Sequence, residues 1–225
     1  VYDRTAHREL SLSIAVDSEL HRGTDGRLYI VDAARIFPPT YPPLHRWVVP
    51  GKPTRHAPSH LFEHFRHEFL VNISEDISSD AISSFQNMNE ARVHNRKVKQ
   101  ATLILLEERI PEAVEFLLSR RKSGSAYRSD LQDPDRICNF LHTRGINLRY
   151  LGFFRKEVEK ARQFANDMKC LRQDVTLEKN SKYKRLSNAV LGEMLARTAK
   201  HILRERLRSL SKKKFRRKAI LEFFN

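Results

Sequence analysis

The sequence predicts a mainly α protein of the α+β class, a multi-helix domain preceded by a small N-terminal β-hairpin element. Apolar residues recur at intervals of three and four through most of the chain after residue 60, as amphipathic helices require. Before that point, the turn dipeptide Asp25-Gly26 is followed by a short β-rich run, Leu28 to Val31. The predicted organisation has three parts: a hairpin element at 1–43, a Pro-rich connector at 44–58 and a helical part at 59–225.

Length and composition indicate a soluble globular protein. The 225 residues are 40% apolar and 31% charged, enough to bury one sizeable core. No apolar run approaches the roughly 18–20 residues of a membrane span, and no signal-peptide pattern is present. Cys138 and Cys170 lie 32 residues apart without a C-x-x-C partner. We therefore expect reduced thiols in a cytoplasmic protein.

Positive charge is concentrated near the C-terminus. The net charge is +15, and residues 197–218 hold eleven Lys or Arg against one acid, Glu205, a local net of +10. Such a block attracts polyanions, namely nucleic acid, a ribosome surface or an anionic membrane, although a solvated helix face with a basic tail is the simpler alternative. The predicted RNA-binding residues are Arg197, Lys200, Arg204, Arg208, Lys212, Lys213, Lys214, Arg216 and Arg217.

The predicted hairpin has an acidic residue at the end of its second strand. Gly26 is expected at positive φ, and at least one side of the strand is expected in the core. We expect Asp32 to be the buried partner of an arginine such as Arg35.

His7-Arg8-Glu9-Leu10 resembles the catalytic loop of protein kinases. Glu9 replaces the catalytic Asp, Ser13 stands where Asn is needed, and no Gly-rich phosphate loop is present. A degenerate kinase-like nucleotide-binding domain, with Asp32 at the metal position, is therefore an alternative hypothesis. We predict no catalytic residue and no cofactor.

Residues 61–73 are predicted to form an amphipathic helix, with phenylalanines at helical spacing on the buried face. His60, Glu63 and His64 match the H-x-x-E-H pattern of inverted zinc metalloproteases. A catalytic zinc also needs a third ligand and a dry, shaped cleft. We expect instead an exposed histidine stripe opposite the phenylalanines, and no metal.

The later helices are predicted from apolar spacing and capping residues. Asp133-Pro134 is a helix start, Gly145 an αL helix end, and Asn147 a cap for the next helix. Loops are predicted at 74–89 and 171–184. The other predicted helices cover 95–108, 111–121 and 187–209, with a last short helix after an interruption at 211–214. In the long helix at 187–209, the predicted apolar side is Leu191, Leu195, Ile202 and Leu207.

The corner at 144–152 joins two predicted helices through a tight turn. Its layout resembles a helix-turn-helix, which reads DNA through its second helix. Here the second helix is apolar and offers few side chains to base edges. We expect a packing corner, in which Asn147 bonds backbone groups.

The stretch D-G-R-x-Y-x-x-D-x-x-R-x-F-P-P at 25–39 resembles the Clu domain of the clustered mitochondria protein family. Two further segments support the resemblance in the same order: R-G-I-N-L-R-Y-L-G at 144–152 and L-G-E-M-L-A-R-T-A-K-H-I at 191–202. The residues taken as family motif are Asp25, Gly26, Arg27, Tyr29, Asp32, Arg35, Pro38, Pro39, Arg144, Gly145, Asn147, Arg149 and Tyr150.

The resemblance implies that this chain corresponds to the C-terminal half of the Clu domain. It implies a cytosolic protein that binds messenger RNAs for mitochondrial proteins and keeps mitochondria distributed. Together with the charge, this predicts a non-enzymatic module that contacts RNA or the ribosome, and the mitochondrial outer surface through other proteins. The alternatives are the kinase-like domain and a purely structural protein-interaction scaffold.

Overall fold

The computed structural model describes residues 2–3, 8–9, 14–42, 61, 63–86, 88–119, 133–171, 178–210 and 213–224. The predicted fold class, mainly α with a small N-terminal hairpin, is confirmed. The elements are β1 (Tyr2–Asp3), β2 (Arg8–Glu9), β3 (Leu20–Arg22), β4 (Leu28–Ile30), α1 (His67–Leu70), α2 (Met88–Ile104), α3 (Ile110–Ser119), α4 (Pro134–Thr143), α5 (Leu151–Leu171), α6 (Glu178–Ser209) and α7 (Lys213–Phe224), with a π-helical turn at Leu105–Arg109 and a 3-10 turn at Leu148–Tyr150. The predicted connector at 44–58 lies outside the described residues.

The chain divides into two compact units. The first unit contains Val1–Glu112 and Leu141–Tyr150, and the second contains Ala113–Phe140 and Leu151–Asn225. The core of the first unit includes Phe65, Phe69, Val98, Leu105, Ile110, Leu141, Ile146 and Tyr150. The core of the second includes Val114, Leu117, Ile137, Leu151, Phe154, Val158, Leu186 and Val190.

The β3–β4 hairpin forms where the turn dipeptide predicts it. The strands are antiparallel, Leu20 opposite Ile30, and Gly26 has φ +77°. The expected burial of one strand face is wrong: Leu28 is 67% exposed and Ile30 41%, and Tyr29 and Val31 on the other side are exposed as well. The β-rich composition therefore supports cross-strand pairs on a two-stranded ribbon and not a core strand.

The predicted helix at 61–73 is also wrong, because α1 is confined to His67–Leu70. The chain before it is extended and bonds to another segment of the first unit. Phe65 N donates to Pro38 O at 2.9 Å, and Thr40 N donates to Glu63 O at 2.7 Å. These bonds satisfy the backbone in a β-bridge, so helical spacing of the phenylalanines does not produce a helix here.

The phenylalanine pattern nevertheless indicates the buried side chains. Phe65 and Phe69 are 3% and 2% exposed, and their rings stack with centroids 5.0 Å apart. Phe62 and His60 lie outside the described residues.

Helices α2 and α3 are continuous through the π-helical turn Leu105–Arg109. Pro111 lies just after this turn. In a regular α-helix, a proline ring clashes with the carbonyl group four residues earlier and has no N–H to donate to it. The widened turn accommodates Pro111 at the start of α3, in its predicted position. The helix predicted at 95–108 begins earlier, at Met88.

The capping residues around α4 act as predicted. Asp133 Oδ1 accepts hydrogen bonds from the backbone N–H groups of Asp135, at 3.0 Å, and Arg136, at 3.4 Å. Gly145 has φ +73°, and Asn147 Oδ1 accepts from Arg149 N at 3.0 Å. The helix start, the αL end and the next cap are confirmed.

Helices α5 and α6 pack together in the second unit, partly through a buried polar link. Ser187, 3% exposed, donates to Glu159 Oε1 at 2.7 Å and accepts from Arg155 Nε at 3.2 Å. The link fixes one turn of α6 against α5, which apolar spacing alone does not reveal.

Two expectations about α6 are wrong. The loop predicted at 171–184 is helical from Glu178, while 172–177 lie outside the described residues. Leu195 and Ile202, assigned to the apolar side, are 61% and 51% exposed. Burial on α6 is concentrated near its N-terminal half, at Leu186 and Val190, so its C-terminal half is a solvent-facing helix.

Candidate nucleic-acid interface

The first family-motif residues build the hairpin turn. Asp25 accepts hydrogen bonds from Tyr29 Oη at 2.7 Å and from Arg27 N at 3.1 Å. The Tyr29 hydroxyl, followed by the Arg27 N–H, lowers the pKa of Asp25, and the Asp25 carboxylate raises the pKa of Tyr29. The Arg27 guanidinium is 3.6 Å from the Asp25 carboxylate. These contacts hold the turn, with Gly26 supplying the positive φ.

Arg35 is buried and ion-paired, but not to Asp32. Its guanidinium, 3% exposed, lies 2.6 Å from Asp80 and 3.2 Å from Asp17. Asp32 is exposed and accepts from Ala34 N at 3.0 Å, an ordinary turn contact. The expected Asp32–Arg35 pair is therefore wrong, because each side chain meets a closer partner.

Arg35 also has a neutral environment on its other sides. Its Nη2 lies 3.4 Å from the backbone oxygen of Ser79, and its guanidinium carbon is 5.2 Å from the Phe85 ring centroid. The aromatic face and the two carboxylates together stabilise the buried charge.

The corner at 144–152 is packed inside the first unit. A Cβ on Gly145 would lie 2.4 Å from the backbone nitrogen of Phe69. Arg149 Nη2 donates to the backbone oxygen of His64 at 2.7 Å. Tyr150 is 1% exposed, and burial raises its pKa. Gly145 and Arg149 thus join the corner to the segment at 64–69, and Tyr150 is buried in the core of the first unit, as expected of a packing corner.

Of the remaining motif residues, the two prolines bond to the segment around Phe65, and Arg144 is exposed. Pro38 O accepts the Phe65 N–H, and Pro39 forms the bridge to His64. Arg144 is exposed and lines a shallow concavity of about 140 Å³ with Glu68 and Arg109.

The histidines do not form the expected stripe. His64 lies in the β-bridge with Pro39, whereas His67 begins α1, so they do not share a helix face. Within the described ranges, no group of three or more His, Cys, Asp or Glu side chains is arranged to hold a metal ion. In the kinase-like segment, Arg8 and Glu9 form β2, and the rest of the motif is not described.

Four of the predicted RNA-binding residues lie on α6. Arg197, Lys200, Arg204 and Arg208 are exposed and recur at intervals of three or four, so they share one side of the helix. We call these four residues the α6 row. Arg197 Nε lies 2.7 Å from Glu193 Oε1, an i, i+4 pair at the beginning of the row.

The other predicted residues belong to the end of the chain, and we call Lys212, Lys213, Lys214, Arg216 and Arg217 the α7 cluster. Arg216 and Arg217 are exposed on α7, and Arg216 Nε donates to Leu210 O at 3.2 Å. Lys213 and Lys214 are helical, but their side chains are not described, and Lys212 lies outside the described residues.

The basic block has acidic partners that the sequence prediction did not include. Glu222 lies 2.9 Å from Arg206 and 3.7 Å from Lys218, which links α7 to α6. The Glu193–Arg197 pair follows helical spacing and could have been found, whereas Arg206–Glu222 joins two helices and has no local signal. In both pairs the arginine is already bound to a carboxylate, so Arg197 and Arg206 are less available to a ligand than the unpaired cations.

Cys138, on α4, lies beside the beginning of the α6 row. Burial, followed by the nearby Glu193 carboxylate, raises the pKa of its thiol to about 11. The thiol is therefore protonated near neutral pH and is a poor nucleophile.

Two family models match different parts of the chain. The model described as Clustered mitochondria matches residues 2–42, and the model described as Translation initiation factor eIF3 subunit 135 matches residues 129–225. Curated relatives are a clustered mitochondria protein homolog of Caenorhabditis briggsae, 26% identical over 63% of this chain, and one of Malassezia globosa, 24% identical over 90% of it. The chain is similar to clustered mitochondria proteins.

The three segments on which the resemblance rests are divided between the two models. The hairpin segment at 25–39 lies in the match to the Clustered mitochondria model, whereas the corner at 144–152 and the α6 segment at 191–202 lie in the match to the translation initiation factor model. The chain spans only 9% of the Caenorhabditis briggsae protein and 19% of the Malassezia globosa protein. No solved structure matches the chain. No helix in the described part is long and apolar enough to cross a membrane.

Proposed function

We propose that this chain is a non-enzymatic, cytoplasmic module of a clustered mitochondria-type protein, which binds RNA or a ribosomal surface. It would contribute to the distribution of mitochondria and the expression of mitochondrial proteins, and reach the mitochondrial outer surface through other proteins. The observation that carries the proposal is the local net charge of +10 at residues 197–218. The side chains of eight of its eleven cations are described, and all eight are exposed on α6 or α7.

The physical basis is release of counterions from phosphates. Each Lys or Arg that neutralises a phosphate frees condensed cations, which gives strong binding at low salt and a steep loss at high salt. The described cations of the α6 row and the α7 cluster are exposed, so they meet a ligand without a change of fold. The match of residues 129–225 to a model described as a translation initiation factor subunit supports a partner in translation.

The test is a filter-binding titration of the whole chain with RNA at several salt concentrations. Replacing all five residues of the α7 cluster by Gln should weaken binding to unrelated RNA sequences about equally. On a single strand, it should also reduce the log–log salt slope by about 0.7 for each phosphate that the variant no longer neutralises. Unchanged affinity would remove the α7 cluster from the proposed site, and a scaffold would show no RNA binding at physiological salt in either version.

A matched control separates a local site from general charge. Five exposed basic residues outside the block are replaced by Gln: Arg22, Arg92, Arg96, Lys99 and Lys156. Both variants lower the net charge by five, from +15 to +10. We expect the control to retain most of the affinity, and an equal loss in the two variants would show that no local site exists.

We infer the absence of catalysis from the degraded kinase-like motif. Glu9 stands where the catalytic Asp is required, and Asp32 is occupied in a turn with Ala34. The whole chain should show no Mg²⁺-dependent ATP turnover. Turnover that is lost in Asp32→Asn would establish the kinase-like alternative.

A further inference from the structure

The α6 row has a regular geometry. At about 100° per residue, intervals of three, four and four place its four cations within an arc of about 80°. The eleven positions from Arg197 to Arg208 correspond to about 16 Å along the helix axis. The row is therefore a stripe of positive charge along one side of α6 and not a diffuse basic tail.

Most of the row has no internal partner. Arg197 is paired with Glu193, but Lys200, Arg204 and Arg208 form no ion pair or side-chain hydrogen bond with any residue in the described part of the chain. Like charges at i, i+4 repel each other and destabilise a helix. This arrangement is relieved when phosphates approach, and it differs from the alternating signs of a helix that is only solvated.

The basic residue between two members of the row behaves differently. Arg206 lies about 160° around the helix from Arg204, and it is paired with Glu222 of α7 at 2.9 Å. The two arginines are two positions apart, yet one is free and the other is engaged within the second unit.

The position of the exposed apolar residues argues against a membrane as the ligand. Leu195 and Ile202 are exposed, and they lie about 160–180° around α6 from Arg204. A helix that lies on a membrane inserts a continuous apolar side and keeps its basic residues on the opposite, polar side. On α6 the side that carries Leu195 and Ile202 also carries Arg206, which is paired with Glu222, so inserting this side would bury charged groups.

The row also lacks the features of a single-strand site. Residues 191–210 contain no Phe, Tyr or Trp, whereas proteins that bind single strands stack bases on aromatic side chains. A nucleic-acid duplex carries about one phosphate per 1.7 Å of axis in the B-form, so about 16 Å of duplex presents roughly nine phosphates in fixed positions. Double-stranded RNA is recognised mostly by shape and by phosphate and 2′-hydroxyl contacts, without base stacking.

We propose that the α6 row docks along the phosphate backbone of double-stranded RNA. This inference rests on the proposed function, since it names the class of RNA and the residues of α6 that contact it. Binding is independent of base sequence, and the α7 cluster adds affinity without discriminating duplex from single strand.

The experiment compares two single variants with the same change of charge. Arg204→Gln removes a free cation from the row, and Arg206→Gln removes an engaged cation from the opposite side. The probes are a 20-base-pair RNA duplex, one of its strands alone, and vesicles of phosphatidylcholine and phosphatidylserine. For the duplex, Arg204→Gln should lower the log–log salt slope by about 1, and Arg206→Gln should leave it unchanged.

A triple variant measures how much the α6 row contributes to the affinity for duplex RNA. Replacing Lys200, Arg204 and Arg208 by Gln should weaken duplex binding at least tenfold near 0.1 M salt and remove the preference for duplex over single strand. Its melting temperature should be unchanged or higher, because repulsion within α6 is relieved. If duplex binding is weakened while the melting temperature is unchanged or higher, the loss of affinity comes from the removed cations and not from unfolding.

The contrary outcomes are distinct. Equal affinity of the wild-type chain for duplex and single strand, or equal effects of Arg204→Gln and Arg206→Gln, overturns the inference. Vesicle binding that depends on the row overturns it in favour of a membrane. Loss of RNA binding on removal of the α7 cluster, but not of the row, rejects this inference and leaves the proposed function standing. If neither set of substitutions affects RNA binding, the proposed function fails as well.

Discussion

The guanidinium of Arg35 lies 2.6 Å from the carboxylate of Asp80, 45 positions later in the chain. Asp80 also accepts from the backbone N–H of Val16 at 3.2 Å. One carboxylate thus joins the segment before the hairpin, the buried arginine after it and the turn region at 78–83. This contact holds the family-motif segment to the rest of the first unit.

Arg35→Met should destabilise the first unit. The change leaves Asp80 and Asp17 without their cation, but both carboxylates retain some access to water. We therefore expect a loss on the order of 2 kcal/mol in the free energy of unfolding, below the roughly 3–5 kcal/mol of a fully buried pair. Urea unfolding followed by circular dichroism measures it.

Asp32→Asn is the control for Arg35→Met. The Asn side-chain oxygen also accepts from Ala34 N, and position 32 is exposed, so we expect a change below about 0.5 kcal/mol. Equal unfolding midpoints for the two variants would show that the Arg35–Asp80 pair does not support the fold.

The contact between Asp25 and Tyr29 should be visible as a pair of shifted titrations. The pKa of Asp25 is lowered from 3.8, so its contribution is present above that pH and is lost as pH falls through the lowered pKa. The pKa of Tyr29 is raised from 10.0, so its contribution is present below that pH and is lost as pH rises through the raised pKa. The hairpin contact is intact between these limits.

Removing the hydroxyl group tests this contact. Tyr29→Phe should raise the pKa of Asp25 toward its ordinary value, because the largest cause of the lowered pKa is the Tyr29 hydroxyl. An NMR titration of the Asp25 carboxyl carbon measures the change. Tyr41→Phe, elsewhere in the first unit, should leave it unaffected. An Asp25 titration identical in all three proteins would exclude the contact.

Features set by a few neighbouring residues were predictable from the sequence. Asp133, Gly145 and Asn147 act through backbone groups within three or four positions, and each has the predicted role. The buried side chains of α5, at Leu151, Phe154 and Val158, also follow directly from helical spacing. Local chemistry determines these features, so no knowledge of the fold is required.

Features that depend on distant partners were not predictable. Phe65 and Phe69 are buried as their spacing indicates, but the chain before α1 pairs with Pro38–Thr40 and remains extended. Leu195 and Ile202 follow helical spacing and are exposed, because spacing identifies one side of a helix and not what covers it. For the candidate site, the charge of residues 197–218 was evident from the sequence. Which of these cations are ion-paired was not, because the Arg206–Glu222 pair joins two helices and depends on the fold.

The thiol of Cys138 should react slowly with alkylating reagents in the folded chain. Its pKa of about 11 leaves little thiolate near pH 8, and part of the cause is the Glu193 carboxylate. In a Cys170→Ser background, Glu193→Gln should lower this pKa and accelerate alkylation by iodoacetamide several-fold. Mass spectrometry of timed samples measures the rate.

Lys160→Gln provides the control for Glu193→Gln. Lys160 is exposed on α5 and paired with Glu157, so its loss should not change the alkylation of Cys138. If Cys138 is alkylated at the same rate in Glu193→Gln and Lys160→Gln, then the Glu193 carboxylate does not raise the pKa of this thiol.

Gly145→Ala should be strongly destabilising. The residue has φ +73°, which costs an L-residue roughly 1–2 kcal/mol. Its new Cβ would also lie 2.4 Å from Phe69 N and 2.5 Å from Phe69 Cα, so the backbone at Phe69 must move. Because Phe69 is a core residue, we expect a total loss on the order of 3–4 kcal/mol in the free energy of unfolding.

Substitutions at two other glycines measure the cost of positive φ separately from the cost of the steric clash with Phe69. Gly26 has φ +77° but nothing within 4 Å of an added Cβ, so Gly26→Ala should show only the strain, about 1–2 kcal/mol. Gly192 lies in α6 with the same open space and no positive φ, so Gly192→Ala should stabilise by about 0.5–1 kcal/mol. Denaturant midpoints should therefore rank Gly192→Ala above wild type, then Gly26→Ala, then Gly145→Ala. A Gly145→Ala protein as stable as Gly26→Ala would mean that the corner does not press against Phe69, and the packing role assigned to the second family motif would be wrong.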